Sequence, residues 1–315
     1  MNKWSKLGIT AGMCTTVLAS IHLINKLIFK TSTSSKLTFS KEQHVFNWKF
    51  GNMSYTTAGH GSPILLIHDL QPESSSYEWN KSIALLAQNH TVYAIDLIGC
   101  GNSDKPNITY TTYMYTQLIN DFILNVISKK VSVIATGSSV PLTLMAAYNN
   151  SYLFDKIILV NPEGIKTSMI NPGKRSRIRR HIINSPIIGT LIYNICMSKR
   201  NIYNNMHNNM AASNPNQNIV NIYHENAHLA GSSSKFLYSS IDGHYTTASI
   251  SQAVAQLDNC IFIISGKKEP NADSINAEYT ALNPAIETIK IDFSKHLPQY
   301  EQPADFVKTV KLFLG

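Results

Sequence analysis

Two adjacent serines, Ser138 and Ser139, follow the apolar run Val131–Ala135. One histidine, His296, sits in a polar loop between an apolar strand-like run and the last helical segment. Two carboxylates, Glu163 and Glu269, close other apolar runs. A hydroxyl, an imidazole and a carboxylate are the parts of nucleophilic acyl transfer. That chemistry needs the nucleophile on a sharp strand-to-helix turn, a histidine to take its proton and a carboxylate to orient the histidine. It also needs backbone N–H groups aimed at the developing oxyanion. Metal and dinucleotide chemistry lack their signatures: no H-E-x-x-H and no G-x-G-x-x-G after a strand is present, and Cys14, Cys100, Cys196 and Cys260 show no C-x-x-C spacing. We therefore expect no metal and no cofactor.

Such residues must be positioned by a scaffold, and the hydropathy pattern supplies one. Strand-like runs occur at His44–Phe50, Met53–Ala58 (with a Gly51-Asn52 turn between them), Pro63–His68, Thr91–Asp96, Val131–Ala135, Lys156–Val160, Cys260–Ser265 and Ala285–Ile291. Helical runs alternate with them: around Trp79–Leu86, Thr112–Ser128 with apolar residues at i, i+4, Pro141–Asn149, and a last one opening at Pro303. Short continuous apolar runs fit strands buried on both faces. The alternation implies an α/β fold, a mostly parallel sheet with helices on both faces. Ligands of such sheets bind at the carboxyl ends of the strands. Residues 164–258 break the rhythm with an Arg-rich turn and an Asn-rich segment, and are expected to fold as a helical cap over those ends.

Four strand-end motifs now stand in an order that resembles the α/β-hydrolase family. "LLIHDL" (Leu65–Leu70) is similar to its oxyanion strand, and "DLIGCGNSDKP" (Asp96–Pro106) to its DxxGxGxSDKP loop. "IISGKKEP" (Ile263–Pro270) resembles the strand that ends in the catalytic acid, and "HLPQYEQPADF" (His296–Phe306) the segment presenting the catalytic histidine. The resemblance covers about residues 44–315. It implies His296 as general base, Glu269 as the acid, where Asp is the more usual residue, and Glu163 as the alternative acid. It also implies a structural role for Asp96 and a packed, hydrogen-bonded His68. Asp69 stands where the family usually has Gly; the oxyanion donor there becomes the Leu70 N–H, and a nearby carboxylate would weaken anion stabilisation.

The nucleophile elbow departs from the family's small-x-Ser-x-small pattern. One register puts Gly137 at the nucleophile position, flanked by Ala135 and Ser139. The next makes Ser138 the nucleophile but places β-branched Thr136 and Val140 at the small positions; the third makes it Ser139, between Gly137 and Pro141. Because an acid and a base are retained, Ser138 is taken as nucleophile, Ser139 as alternative nucleophile and as the second oxyanion N–H. Aspartate nucleophiles are disfavoured, since no Asp lies between Val131 and Val140. The expected function is a Ser138–His296–Glu269 hydrolase of an ester or similar acyl substrate, a small molecule that could be lipid-like. The alternative is a non-catalytic ligand-binding protein on the same fold that has lost its nucleophile.

The formal charge of +8 suggests a polyanion-binding protein until it is divided along the chain. Residues 1–36 hold five lysines and no acid, leaving 22 basic against 19 acidic residues. Five of those 22 lie between Lys174 and Arg180, not along a recognition face. No nucleic-acid partner is expected. The cluster itself is either a solvated cap helix, which is preferred, or a contact for anionic lipid headgroups. With 43% hydrophobic residues the chain can build a large core. From Leu7 to Asn25 there is no charge, and lysines flank the run. About 20 apolar residues can cross a bilayer, so residues 1–36 are expected to form a single uncleaved N-terminal membrane anchor (spanning within 7–29) with a flexible linker at Thr31–Ser35; the alternatives are a cleaved signal peptide, though no clear A-x-A site follows, and a surface helix packed on the domain. Residues 37–315 then form the hydrolase-like domain. The flanking lysines give the cytoplasmic side only a slight preference, and nothing in the sequence specifies an oligomeric state.

Overall fold

A computed structural model describes residues 3–37, 43–212 and 214–315. Eight strands form one sheet in the order β1-β2-β4-β3-β5-β6-β7-β8: β1 (His44–Trp48), β2 (Gly51–Ala58), β3 (Ser62–Ile67), β4 (His90–Ile95), β5 (Val131–Thr136), β6 (Phe154–Val160), β7 (Cys260–Gly266) and β8 (Glu287–Ile291). The β1–β2 and β2–β4 pairs are antiparallel and every later pair is parallel. This is the mostly parallel α/β architecture expected from the alternation.

Successive side chains on a strand face opposite ways, and the core splits accordingly. Helices α1 (Lys3–Ser32) and α2 (Asn80–Leu86) precede α3 (Thr112–Phe122) and α4 (Val140–Asn149) in the chain. Leu65, Ile67, Val133 and Ala135 join a cluster with Leu118 and Phe122 of α3 and Leu144 of α4. Ile64, Leu66 and Ile134 join the other with Trp79 and with Phe306 and Val310 of the last helix, Pro303–Leu314. Burial on both faces is why these strands read as unbroken apolar runs.

Three local expectations are corrected. The first hairpin turns at Lys49–Phe50, because Trp48 pairs with Gly51; Asn52 is held in the ladder by bonds to Asp104, whose carboxylate accepts the Asn52 N–H at 2.8 Å. The helix expected to reach Ser128 leaves α geometry after Phe122 and ends in one π turn, Ile123–Ile127, with Ser128 left-handed at φ 55°. The Thr31–Ser35 linker is not a free tether. Helix α1 runs Lys3–Ser32, and hydroxyls of Thr31, Thr33 and Ser34 bond back to carbonyls of the preceding turn.

Between β6 and β7 the chain is helical. Its longer pieces are Lys174–Asn184, Ile188–Cys196, Lys199–Asn209 and Gln217–His228, packed around a third cluster that includes Tyr193, Met206, Ile219 and Tyr223. The carboxyl half of α1 docks on this insertion. Asn25 donates to the Ile187 carbonyl at 3.1 Å and accepts from Asn194 at 2.9 Å, and the Phe29 ring meets His228. Asn25, which dilutes the apolar run in the sequence, is the residue that fastens it. Before that point Met13, Val17 and Leu23 are exposed. The span Gly12–Ser32 has a mean hydropathy of 1.4 and is long and apolar enough to cross a membrane.

Candidate functional site

The residues singled out above converge at the carboxyl ends of β3, β5, β6 and β7, where a cavity of about 260 Å³ opens. Its walls are the strand-end loops on one side and Ile202, Met206, Met210 and Tyr223 of the insertion on the other. His296 is tied to the same insertion: its backbone N–H donates to the Asn209 carbonyl at 3.0 Å. The Asn161 side chain donates to the His296 carbonyl at 2.8 Å.

The turn from β5 into α4 has its left-handed residue at Gly137, φ 54°. Gly tolerates that conformation at little cost, so the apex of the elbow is Gly137 and neither serine occupies it. A Cβ built on Gly137 would lie 2.6 Å from Asp69 Oδ1 and 2.8 Å from Asp69 Cγ. The space that a nucleophile side chain would fill is therefore taken by a carboxylate arriving from the loop after β3. Asp69 Oδ1 accepts the Ser138 N–H at 2.8 Å, and Oδ2 lies 3.5 Å from His296 Nε2. On its far side His296 Nδ1 meets Glu269 Oε1 at 3.3 Å. The imidazole thus stands between two carboxylates.

Charges follow from this packing. Burial opposes a charged His296, but its bonds to Asp69 and Glu269, and their negative charges, outweigh burial and raise it to about 10. Burial would likewise raise Asp69, yet His296 and the Ser138 amide hold it below the usual carboxylate range. These contacts favour the charged form of the imidazole.

The predicted site residues separate into those brought together and those diverted. His296 and Glu269 meet. The Ser138 hydroxyl donates to Glu163 Oε1 at 2.7 Å, and no hydrogen bond joins it to His296 among the described residues. Burial raises Glu163, and the Ser138 bond partly offsets this. Ser139 is fully buried and its hydroxyl donates to the His68 carbonyl at 2.5 Å, bolting the elbow to the β3 loop. Leu70 is also fully buried, within the larger core cluster. The Ser138 N–H, which in the Gly137 register would serve the oxyanion, is already engaged by Asp69.

His68 and Asp96 hold structure. His68 accepts the Leu97 N–H at Nε2 (3.0 Å) and contacts the Asp69 carbonyl through Nδ1 (2.6 Å), and its burial lowers its pKa. Asp96 accepts the amides of Ser76 and Asn102, each at 2.8 Å. Sequence reasoning missed Glu73 and Glu78. Both are buried and line the cavity; burial, with the Asp69 charge adding, pushes them up to about 7 and about 8. Glu78 accepts the Asp69 N–H at 3.0 Å and the Tyr223 hydroxyl at 3.3 Å. The one available signal was two acids within six residues directly after the oxyanion strand. Disfavouring an aspartate nucleophile because none lies in 131–140 also overlooked a carboxylate reaching the elbow from another strand.

Comparison with known proteins agrees with this architecture. A model of the Ndr family matches residues 43–315. An uncharacterized protein of Mycobacterium tuberculosis is 34% identical over 112 residues, 36% of this chain and 32% of that protein. A soluble epoxide hydrolase of a Corynebacterium species is 31% identical over 109 residues, 35% of this chain and 37% of that one. The chain thus aligns with only about a third of the length of these relatives. Among solved structures, a serine hydrolase involved in carbazole degradation superimposes with a TM-score of 0.72 at 18% identity, covering 86% of this chain and 98% of the other. The fold is the α/β-hydrolase fold, and the relatives and structural neighbours of known activity named here are hydrolases.

Proposed function

The chain belongs to the Ndr family, and from that premise we propose that it is a ligand-binding protein on an α/β-hydrolase fold whose nucleophile has been replaced by a structural carboxylate. The observation that carries this reading is Asp69: its carboxylate fills the place of a side chain on Gly137 and pairs with His296. A general base must be unprotonated at working pH. An imidazolium near 10 is not. Asp69 is itself a poor nucleophile, with Oδ1 engaged by the Ser138 amide and Oδ2 facing the imidazolium. We take residues 164–258 as the lid of the pocket, since their side chains form its outer wall.

A second reading retains the chemistry: Ser138 attacks an ester or similar acyl carbon, His296 transfers the proton and Glu269 orients it. The His296–Glu269 contact favours it, as do the hydrolase relatives. Ser138 would have to leave Glu163, and His296 would have to lose its proton. Intact-mass analysis of the full chain separates the readings, using a fluorophosphonate to trap a serine and 1,2-epoxyhexane to trap a carboxylate. No mass gain with either is expected. A fluorophosphonate adduct lost in Ser138→Ala and in His296→Ala would establish the serine hydrolase, and an epoxide adduct on Asp69 would make that residue the nucleophile.

We further propose that α1 anchors the protein to a membrane. At 1.5 Å per residue, the uncharged stretch 7–24 before the Asn25 docking point extends about 27 Å, close to the hydrocarbon core of about 30 Å. Docking of α1 on the insertion would then hold the lid close to the bilayer. The Arg-rich helix contributes less, since Arg179 pairs with Asp242 at 3.3 Å and Arg180 lies over the Tyr245 ring. The full chain should float with phosphatidylcholine vesicles and Val17→Lys/Leu23→Lys should not. Equal flotation of both would refute the anchor.

A further inference from the structure

The insertion is one-sided in charge and carries apolar side chains on its outside. From Gly164 to His224 there are eight lysines and arginines and no acid. Arg179 and Arg180 are engaged within the protein, the first by Asp242 and the second by Thr109 and the Tyr245 ring. Lys174, Arg175 and Arg177 are exposed, and among the described residues none of the three has an ion pair. On the same helix Ile178 and Ile182, four residues apart and so on one face, are 61% and 47% exposed. The next helix, Ile188–Cys196, is turned inside out. Its buried side holds Gly189, Thr190, Tyr193 and Asn194. Ile188 and Ile195, two turns apart on one face, are 53% and 57% exposed. A surface helix ordinarily hides its apolar stripe.

We propose that this face is a second membrane contact, in which the isoleucines enter the headgroup boundary of a bilayer and Lys174, Arg175 and Arg177 meet anionic phospholipid. The inference rests on reading α1 as the anchor and names the lipid class that the insertion meets. The face adjoins the proposed span. Asn25 fastens α1 to the Ile187 carbonyl and the Asn194 side chain, at the two ends of the inside-out helix. Beyond that point Leu27 of α1 is still exposed, so apolar surface does not stop where α1 docks. Isoleucines beside lysine and arginine on one helix are the pattern of helices that lie in the plane of a bilayer. An acid-free basic surface complements anionic headgroups, each basic residue there being worth about fivefold in partitioning. A second copy of the chain would set the same cations against each other.

The test is flotation of the full chain carrying Val17→Glu/Leu23→Glu, which disables the span without adding a cation. It should stay behind with phosphatidylcholine vesicles and float with vesicles of phosphatidylcholine and phosphatidylglycerol in equal parts. On the anionic vesicles Lys174→Glu/Arg175→Glu should lower its partition coefficient by at least about tenfold. Acids in the first turn of that helix suit its dipole, so the fold is kept. Ile188→Ser/Ile195→Ser should also lower it by about tenfold. Lys129→Glu/Lys308→Glu, the same charge change at exposed positions elsewhere, should alter it by less than about twofold. Undiminished binding in either insertion variant, an equal loss in the Lys129/Lys308 variant, or no flotation with anionic vesicles overturns the inference. So does a dimer that Ile188→Ser/Ile195→Ser dissociates in sedimentation, which would place a second copy on this face. Failure of the anchor is a separate result, seen on phosphatidylcholine alone as equal flotation of the unaltered and Val17→Lys/Leu23→Lys chains.

Discussion

The double substitution Asp69→Gly/Gly137→Ser is expected to give the full chain a fluorophosphonate-reactive serine where the unaltered chain is expected to show none. The glycine removes the carboxylate that would stand 2.6 Å from a Cβ at position 137. It also frees the Ser138 amide, now bonded to Asp69 Oδ1, for an oxyanion. A serine at 137 would then sit at the apex of the elbow, with His296 and Glu269 already in contact behind it. Losing Asp69 takes away the stronger of the two carboxylate partners that raise His296, so the imidazole moves towards a range where it can act as base. Removing a triad serine costs about 10⁶ in rate elsewhere. A gain of at least about 10³ in labelling rate, abolished by His296→Ala, is therefore a modest expectation. Gly137→Ser alone should stay unlabelled and be destabilised, because it meets the Asp69 carboxylate and adds about 1–2 kcal/mol for an L-residue at φ 54°. Labelling of that single variant as fast as the double would show that Asp69 does not block the elbow.

The second large effect concerns stability against pH. His296 has its folded pKa raised from 6.5 to about 10. Its contribution is fully present below about 6.5 and is lost as pH rises through about 10. Asp69 has its folded value depressed, so its contribution holds above its ordinary 3.8 and fails as pH falls through the lower folded value. Between these limits the pair supports the fold. Breaking a buried pair by removing one partner costs about 3–5 kcal/mol; taking the lower end for a contact with some solvent access, Asp69→Asn should cost about 3 kcal/mol at pH 6. Near pH 10 the wild-type imidazole loses its charge, and the difference between the two proteins should shrink or reverse. Other groups titrate in this window, including Lys105, which burial lowers to about 8. Lys105 is common to both proteins, but Glu73 and Glu78 also titrate here and lose the Asp69 charge in the variant, so the comparison is made in a Glu73→Gln/Glu78→Gln background, where the difference in urea midpoints isolates the pair. A difference that stays constant from pH 6 to pH 10 would mean that Asp69 acts by packing alone.

Much of this architecture was legible because burial on both faces leaves an unbroken apolar signature. Val131–Thr136 and Phe154–Val160 could be read as strands for that reason. His296 and Glu269 could be placed because each closes such an element within a recognisable motif. The elbow register could not be resolved. Gly137, Ser138 and Ser139 follow one another, and only the backbone angle at Gly137 decides which is the apex. Nor could the sequence reveal that Asp69 turns into the vacated space, since its partners lie 69 and 227 residues away. Glu73 and Glu78 belong to no motif that marks them. Their burial depends on Tyr223 and the rest of an insertion whose helices no short motif identifies.

All of this turns on whether His296 is an imidazolium held by Asp69. The direct measurement is a nitrogen-15 NMR titration of the full chain labelled at histidine nitrogens, with the His296 resonances assigned by loss in His296→Ala. We expect both ring nitrogens of His296 to show protonated shifts through pH 8, with a midpoint near 10 that falls in Asp69→Asn. A neutral ring at pH 7.5 in the wild-type protein, unchanged by Asp69→Asn, would contradict this account and return His296 to the role of a general base.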